Sequence, residues 1–150
     1  MKKQTIITKE YLSLLIKVAH QYDLPLEGIE IVSSIQEWCK EIGIEEDNPF
    51  RAGKCLRNCE TGKYKILLAE EITPEMQNSI IGAMSLRDYS LKIEILENPK
   101  AFLIHLLLHE LAHARNEEWS ENECDRWAFE ELEKIKARDQ ILNCELREHL

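Results

Sequence analysis

The stretch "HLLLHELAHARNEEWSENECDRWAFEEL", from His105 to Leu132, is the most informative part of the chain. Apolar residues surround its first half, from Phe102 to Leu111, which predicts a helix buried at the centre of the domain. A second predicted helix opens at Ser120 and has its own apolar stripe. Three of the chain's five histidines fall within nine residues of the first helix: His105, His109 and His113.

The segment His109-Glu110-Leu-Ala-His113 has the form H-E-x-x-H. Histidines four residues apart lie on the same face of a helix, so both rings can bind one metal ion. The motif therefore predicts two Zn²⁺ ligands, His109 and His113, with Glu110 as general base for a metal-activated water. The alternative is a pair of partly buried, hydrogen-bonded histidines beside a solvated glutamate. His105 is predicted to be a core or supporting histidine rather than a ligand.

A catalytic zinc site needs three protein ligands and one open position. We expect the third ligand beyond His113, and the sequence favours Glu123, in the first turn of the last helix. The alternative role of Glu123 is to complete a capping box with Ser120, in which it bonds back to the start of the helix. Five carboxylates lie in the segment that supplies this ligand: Glu117, Glu118, Glu121, Glu123 and Asp125.

The remainder of the chain alternates between helical and strand-like periodicity. Thr73-Pro74 and Asn98-Pro99 each join a capping residue to proline at the first helical position, which marks two helix starts. We predict helices over 8–22 and 34–42, a loop over 48–62, a strand over 63–70, a helix from 74 to about 84, a strand over 89–96, and helices from 99 and 120. This order predicts one α+β domain, with a small sheet packed on helices. Residues 1–60 are predicted to be its helical N-terminal part, without an assigned role.

Composition narrows the class of protein. The 150 residues are 44% apolar and 31% charged, typical of a single globular domain. No apolar run is long enough to span a bilayer, and Lys2-Lys3 precedes no signal-peptide core, so we expect a cytoplasmic protein. The net charge of −9 disfavours binding to nucleic acid, which depends mainly on lysine and arginine.

The cysteines are odd in number, and no secretory context favours disulfide bonds, so we expect free thiols. A second metal bound by Cys39, Cys55 and Cys59 is a weaker alternative, because the spacing is loose and a fourth ligand is not evident. The other two cysteines are Cys124 and Cys144.

His-Glu-Leu-Ala-His-Ala followed by Glu-x-Glu-Cys-Asp-Arg-Trp-Ala resembles the ImmA/IrrE-type metallopeptidases, which are glutamate-zincins. The resemblance covers about residues 89–132. It implies a zincin-like fold with His109 and His113 as zinc ligands, Glu110 as base and Glu123 as third ligand. It also implies that the strand over 89–96 is the edge along which a substrate peptide lies extended. Cys124 and Trp127 depart from the alanine and phenylalanine usual in this pattern.

The leading functional hypothesis is therefore a zinc-dependent endopeptidase that cleaves a protein or peptide, with transcriptional regulators among the substrates that the resemblance implies. One alternative is a non-catalytic zinc-binding regulatory or interaction domain, in which Cys144 or His149 supplies a fourth ligand. A metal-free helical interaction domain is another alternative. A DNA-linked SprT-like protease also has H-E-x-x-H, but the acidic charge disfavours it. No residue is marked by the sequence as a stabiliser of the oxyanion.

Overall fold

The computed structural model describes residues 5–85 and 93–138, which form an α+β arrangement. Its helices are α1 (Lys9–Ala19), α2 (Ile35–Glu41), α3 (Pro74–Ser85), α4 (Pro99–Arg115) and α5 (Glu121–Arg138), with a 3-10 helix at Ile93–Glu97. Its strands are β1 (Thr5–Ile6), β2 (Leu26–Val32), β3 (Gly53–Arg57), β4 (Tyr64–Ala69) and β5 (Glu71–Ile72).

The larger sheet has the strand order β2-β4-β3. Strand β4 pairs in parallel with β2 and antiparallel with β3, which places it at the centre. Its residues Ile66, Leu67 and Leu68 are fully buried, as expected for a strand covered on both faces. The short strands β1 and β5 form a separate antiparallel pair. Strand β3 therefore lies at an edge of the larger sheet.

Helix α4 is the centre of the core. Twelve of its residues are buried, and it contacts strands β3 and β4 as well as helices α1 and α5. A helix with so little polar surface needs neighbours on nearly every side, which the sheet and the two helices supply. The two polar side chains buried within it, His105 and Glu110, are therefore placed in the interior by the same packing.

Most predicted helices are confirmed, as is the strand over 63–70, which corresponds to β4. Asn98 caps α4 as predicted, because its Oδ1 accepts hydrogen bonds from the backbone of Lys100 at 3.0 Å and Ala101 at 3.1 Å. Ser34 caps α2 through a bond from the Glu37 backbone.

Three predictions need correction. The segment 48–62, predicted as loop, contains strand β3, whose backbone satisfies one side of the buried strand β4. The N-terminal 60 residues are not only helical, since they also contain β2. Of the strand predicted over 89–96, residues 93–96 belong to the 3-10 helix Ile93–Glu97, and the carbonyl of Leu96 accepts from the Gln77 side chain at 3.0 Å instead of from a neighbouring strand. Residues 86–92 lie outside the described part.

None of the helices in the described ranges combines the length and the apolarity that crossing a membrane requires.

Candidate metal centre

Helices α4 and α5 meet at the predicted site. His109 and His113 lie on one face of α4, and their rings are 5.0 Å apart between centroids. Glu121, at the start of α5, approaches both rings. Its Oε2 lies 2.5 Å from Nε2 of His109 and 3.4 Å from Nε2 of His113. One ligand atom from each of these three residues lies within 4.8 Å of the others, and no second such group occurs among residues 5–85 and 93–138.

This geometry corrects the predicted ligand set, because the structure brings Glu121 and not Glu123 to the histidines. Glu123 instead forms the capping box that was the alternative for it. Its Oε1 accepts from Ser120 N at 3.3 Å and Oγ at 3.2 Å, and its own N–H donates to Ser120 Oγ at 3.2 Å. Two residues further along a helix are about 200° around its axis, so Glu121 and Glu123 cannot face α4 together.

The position of Glu121 could have been read from the sequence. Cys124 and Asp125 follow it by three and four residues, so the three side chains share one face of α5. Cys124 and Asp125 are both buried against α4. Glu121 therefore lies on the same face of α5 as these two residues, although its own side chain is exposed, whereas Glu123 is about 200° further around the axis.

The other candidate carboxylates have different partners. Glu117 accepts a hydrogen bond from the hydroxyl of Tyr64 and pairs with Arg57 at 3.4 Å. Glu118 is exposed at the turn between the two helices. Cys144 and His149, considered as fourth ligands, lie outside the described residues.

Asp125 supports His109 from the interior. Its Oδ1 lies 2.7 Å from Nδ1 of His109 and 3.3 Å from Nε2 of His105, and both Asp125 and His105 are almost fully buried. With Nδ1–H donating to Asp125, Nε2 of His109 is the nitrogen left to face Glu121. Metal-binding histidines are commonly oriented in this way by a carboxylate. Asp125 was considered as a ligand and is here a supporting residue.

The supporting contact of His113 is weaker. Its Nδ1 lies 3.5 Å from the sulfur of Cys124, and its side chain is 26% exposed, against 14% for His109. Burial, followed by the charges of Glu121 and Glu110, raises the pKa of the Cys124 thiol to about 12. Among the described residues, Cys124 does not belong to the group of side chains whose ligand atoms converge, which consists of His109, His113 and Glu121.

The charges within the cluster reinforce one another. Burial alone lowers the pKa of His109, but its hydrogen bonds to Asp125 and Glu121 outweigh that effect and raise the pKa to about 10. The same contacts with His109 and His113 hold the pKa of Glu121 well below its usual range. Burial raises the pKa of Asp125, yet bonds from His105 and His109 bring it well below its ordinary value. Two carboxylates therefore stay ionised beside the rings.

Glu110 lies next to the cluster and is 6% exposed. Burial raises its pKa above the usual value, although the charges of His109 and His113 oppose the shift. Strand β3 passes directly beside it: a Cβ added to Gly53 would lie 3.2 Å from Oε2 of Glu110 and 3.1 Å from Cδ1 of Leu106. A buried carboxyl group with a raised pKa has the properties of a general base.

Two clefts flank the cluster. The cleft on the His109 side has a volume of about 330 Å³, and apolar side chains form one part of its wall. The cleft on the His113 side, of about 540 Å³, is lined by basic and hydroxyl groups of strands β3 and β4. The apolar wall consists of Phe50, Ile80, Ala83, Met84, Phe102 and Leu106, and the polar wall includes Lys54, Arg57 and Tyr64.

The donor set fits a divalent metal ion. Two imidazoles and one carboxylate converge on one region, as catalytic zinc sites require, and Asp125 orients one ring as a supporting residue would. The weaker alternative of a second metal site at Cys39, Cys55 and Cys59 is not formed within the described residues. Cys39 is buried, Cys59 is exposed, and all three thiols are free.

Comparison of the chain with models of protein families, with curated proteins and with solved structures gives no match.

Proposed function

We propose that this protein is a zinc-dependent endopeptidase of the glutamate-zincin kind, with His109, His113 and Glu121 as the metal ligands. The observation that carries the proposal is the convergence of these three side chains beside the buried carboxyl group of Glu110. Three protein ligands leave a coordination position open, which distinguishes catalytic from structural zinc sites. A protein or peptide, with regulatory proteins among the candidates, is the proposed substrate.

A Zn²⁺ ion held by His109, His113 and Glu121 would polarise the scissile carbonyl and lower the pKa of a water molecule to about 7. Glu110 accepts a proton from the attacking water as its oxygen bonds to the carbonyl carbon. The π electrons of the carbonyl move onto its oxygen. When they return, the C–N bond breaks and Glu110 delivers the proton to the leaving amine. One water is consumed and its second proton also passes to the amine, so the products are a carboxylate and an ammonium group.

Strand β3 supplies a place for an extended peptide. The bonds from Ala69 N to Ala52 O and from Asn58 N to Lys63 O show that even-numbered residues of this segment pair with the β4 side. In an antiparallel ladder the intervening residues, here Gly53 and Cys55, turn their backbone groups the other way. In the part of the chain that is described, no strand pairs with that edge. We propose β3 as the substrate strand, in place of the segment 89–96.

The test is cleavage of an unstructured protein such as denatured casein by the zinc-loaded chain. We expect Glu110→Gln to lower kcat by roughly 10²- to 10⁴-fold while one zinc stays bound, because only the base is removed. His113→Ala should lose both zinc and activity. The matched control is Glu130→Gln, which changes an exposed glutamate of α5 and should cleave like the wild type. Equal cleavage by Glu110→Gln and wild type, or none by zinc-loaded wild type, contradicts the proposal.

A further inference from the structure

The two clefts share a small set of lining residues, which we call their junction. Four residues line both of them: Arg51, Gly53, Glu110 and Glu121. Glu121 belongs to the metal ligands, Glu110 is the proposed base, and Gly53 contributes only backbone. Arg51 is therefore the one side chain of this junction that carries positive charge and hydrogen-bond donors. The proposed mechanism has so far given it no role.

Arg51 is held in place by Glu46, whose side chain is only 5% exposed. The guanidinium donates from Nε at 3.1 Å and from Nη2 at 3.4 Å to the two oxygens of Glu46. Glu46 also accepts from Lys54 Nζ at 2.6 Å and from the backbone of Asn48 at 3.2 Å. The carboxylate of Glu46 thus binds the turn that precedes β3 and also two basic side chains, those of Arg51 and Lys54.

This clamp leaves donors for a ligand. A guanidinium has five N–H groups, and those on Nη1 take no part in the pairing with Glu46. One carboxylate also balances only one of the two cations, so the group formed by Glu46, Arg51 and Lys54 keeps a net positive charge. The other two cations of the clefts do not reach the junction: Lys54 pairs with Glu46 and Arg57 with Glu117, and neither lines the cleft on the His109 side.

We propose that Arg51 donates a hydrogen bond to the carbonyl oxygen of the scissile peptide bond and stabilises the negative charge that develops on it. This assignment rests on the proposed peptidase function. As the water oxygen bonds to the carbonyl carbon, the π electron pair moves onto the carbonyl oxygen, and a fixed donor aimed at that atom stabilises the transition state more than the substrate. The clamp by Glu46 supplies the required rigidity before substrate arrives.

The experiment compares wild type, Arg51→Gln and Arg51→Lys, all zinc-loaded. Arg51→Gln should lower kcat on denatured casein by about 100-fold or more with KM within threefold of wild type, because the contact is made mainly in the transition state. Arg51→Lys keeps the positive charge but not the paired N–H donors of the guanidinium, so its kcat should fall at least tenfold. Lys65→Gln is the matched control, since it removes a cation of β4 that lines neither cleft and pairs with Glu30.

A second readout does not need turnover. We measure by calorimetry the affinity of each zinc-loaded variant for an alanine tripeptide analogue in which a phosphinate replaces the scissile amide. Its tetrahedral oxygens take the place of the developing oxyanion, so Arg51→Gln should bind it at least about 30-fold more weakly than wild type does, whereas Lys65→Gln should match wild type. Zinc stoichiometry and melting temperature verify that each variant is folded, and Arg51→Lys alone decides the test if Arg51→Gln does not fold.

The outcomes separate the two proposals. If wild type cleaves casein and the Arg51 variants stay within threefold of it in kcat and in phosphinate affinity, the assignment of Arg51 is overturned and the peptidase function stands. If wild type binds the phosphinate in an Arg51-dependent manner without cleaving, the peptidase function fails and the anion contact of Arg51 stands. If wild type neither cleaves nor binds, both fall.

Discussion

The two histidines of the H-E-x-x-H segment are equivalent in the sequence but differ in the structure. His109 is 14% exposed and is held by the buried carboxylate of Asp125 at 2.7 Å. His113 is 26% exposed, and its Nδ1 faces a thiol, that of Cys124, at 3.5 Å. One ring is oriented by a short charged hydrogen bond, the other by a long contact with a weak partner.

The difference indicates that the interior and outer halves of the site have different roles. The interior half of the site, His109 with Asp125 and His105, is preorganised by contacts that belong to the core. The outer half, His113 with Glu121, faces the cleft, and Glu121 has a side chain that is 58% exposed. We therefore expect substitutions in the interior half to affect folding as well as metal binding, and substitutions in the outer half to affect mainly metal binding.

Replacing each histidine in turn in the metal-free protein should give the largest difference in stability between the two halves of the site. His109→Ala removes the cationic partner of the buried Asp125, and loss of one member of a buried pair costs about 3 kcal/mol or more. His113→Ala removes a more exposed contact with Glu121 and should cost about 1 kcal/mol or less. Urea unfolding at pH 7 measures both values. Equal losses would show that the interior half is not special.

Substitutions of the two glutamates at the start of α5, Glu121 and Glu123, should lower the zinc affinity to different extents. If a zinc site of four ligands contributes 10–16 kcal/mol in all, one ligand is worth about 3 kcal/mol, or on the order of 100-fold in affinity. Glu121→Gln should lose about that much, because Glu121 faces both rings.

Glu123→Gln is the matched control for this loss. It keeps a side chain able to cap Ser120, so its zinc affinity should stay within threefold of wild type. Competition with a chelating dye of known affinity measures both variants. A larger loss in Glu123→Gln than in Glu121→Gln would restore the ligand set that the resemblance implied.

Substitution of the residues that support the two histidines should give a smaller difference in zinc affinity, with the larger loss on the His109 side. Asp125→Asn removes the charge that orients His109, and removal of such partners typically lowers metal affinity 10- to 100-fold. Cys124→Ala removes only the long contact to His113 and should change affinity by less than threefold. The same dye competition tests both. A comparable loss in Cys124→Ala would mean that the thiol supports its histidine as strongly as the carboxylate does.

The pH dependence of the metal-free protein tests the interior half of the site by itself. The pKa of His109 is about 10 in the folded chain, against an ordinary value of about 6.5 when unfolded. The folded state thus binds the proton more tightly, so this stabilisation is complete below pH 6.5 and is lost as pH rises to 10. The urea midpoint should fall between pH 7 and 10, and less steeply in Asp125→Asn. A midpoint that rises over this range contradicts the assignment.

Local signals explain why helices α4 and α5 were predictable. Asn98 and Ser120 mark the helix starts because their side chains accept hydrogen bonds from backbone N–H groups of the first turn, and Pro99 suits the first helical position. The spacing of His109 and His113 alone places both rings on one face of the helix. Glu121 could also have been predicted, since its spacing from the buried residues Cys124 and Asp125 places it on the same face of α5. The choice of Glu123 gave more weight to a motif than to the helical period.

Other features depend on contacts between distant segments. Strand β3 has glycine, lysine and arginine among its five residues, and it is a strand because the buried strand β4 needs partners beside it. The proposed role of Arg51 depends on its contact with Glu46 and on the turn at Asn48, neither of which has a sequence motif, and on the approach of this turn to the distant helix α4. Periodicity in a single sequence carries no information on such contacts.

The most direct test of the metal centre is X-ray absorption at the zinc edge of the protein loaded with one equivalent of Zn²⁺. We predict a first shell of nitrogen and oxygen atoms alone at about 2.0–2.2 Å, with the outer-shell scattering of two imidazole rings. A sulfur shell at about 2.3 Å, or the spectrum of hydrated zinc, would contradict the assignment of His109, His113 and Glu121 as its ligands.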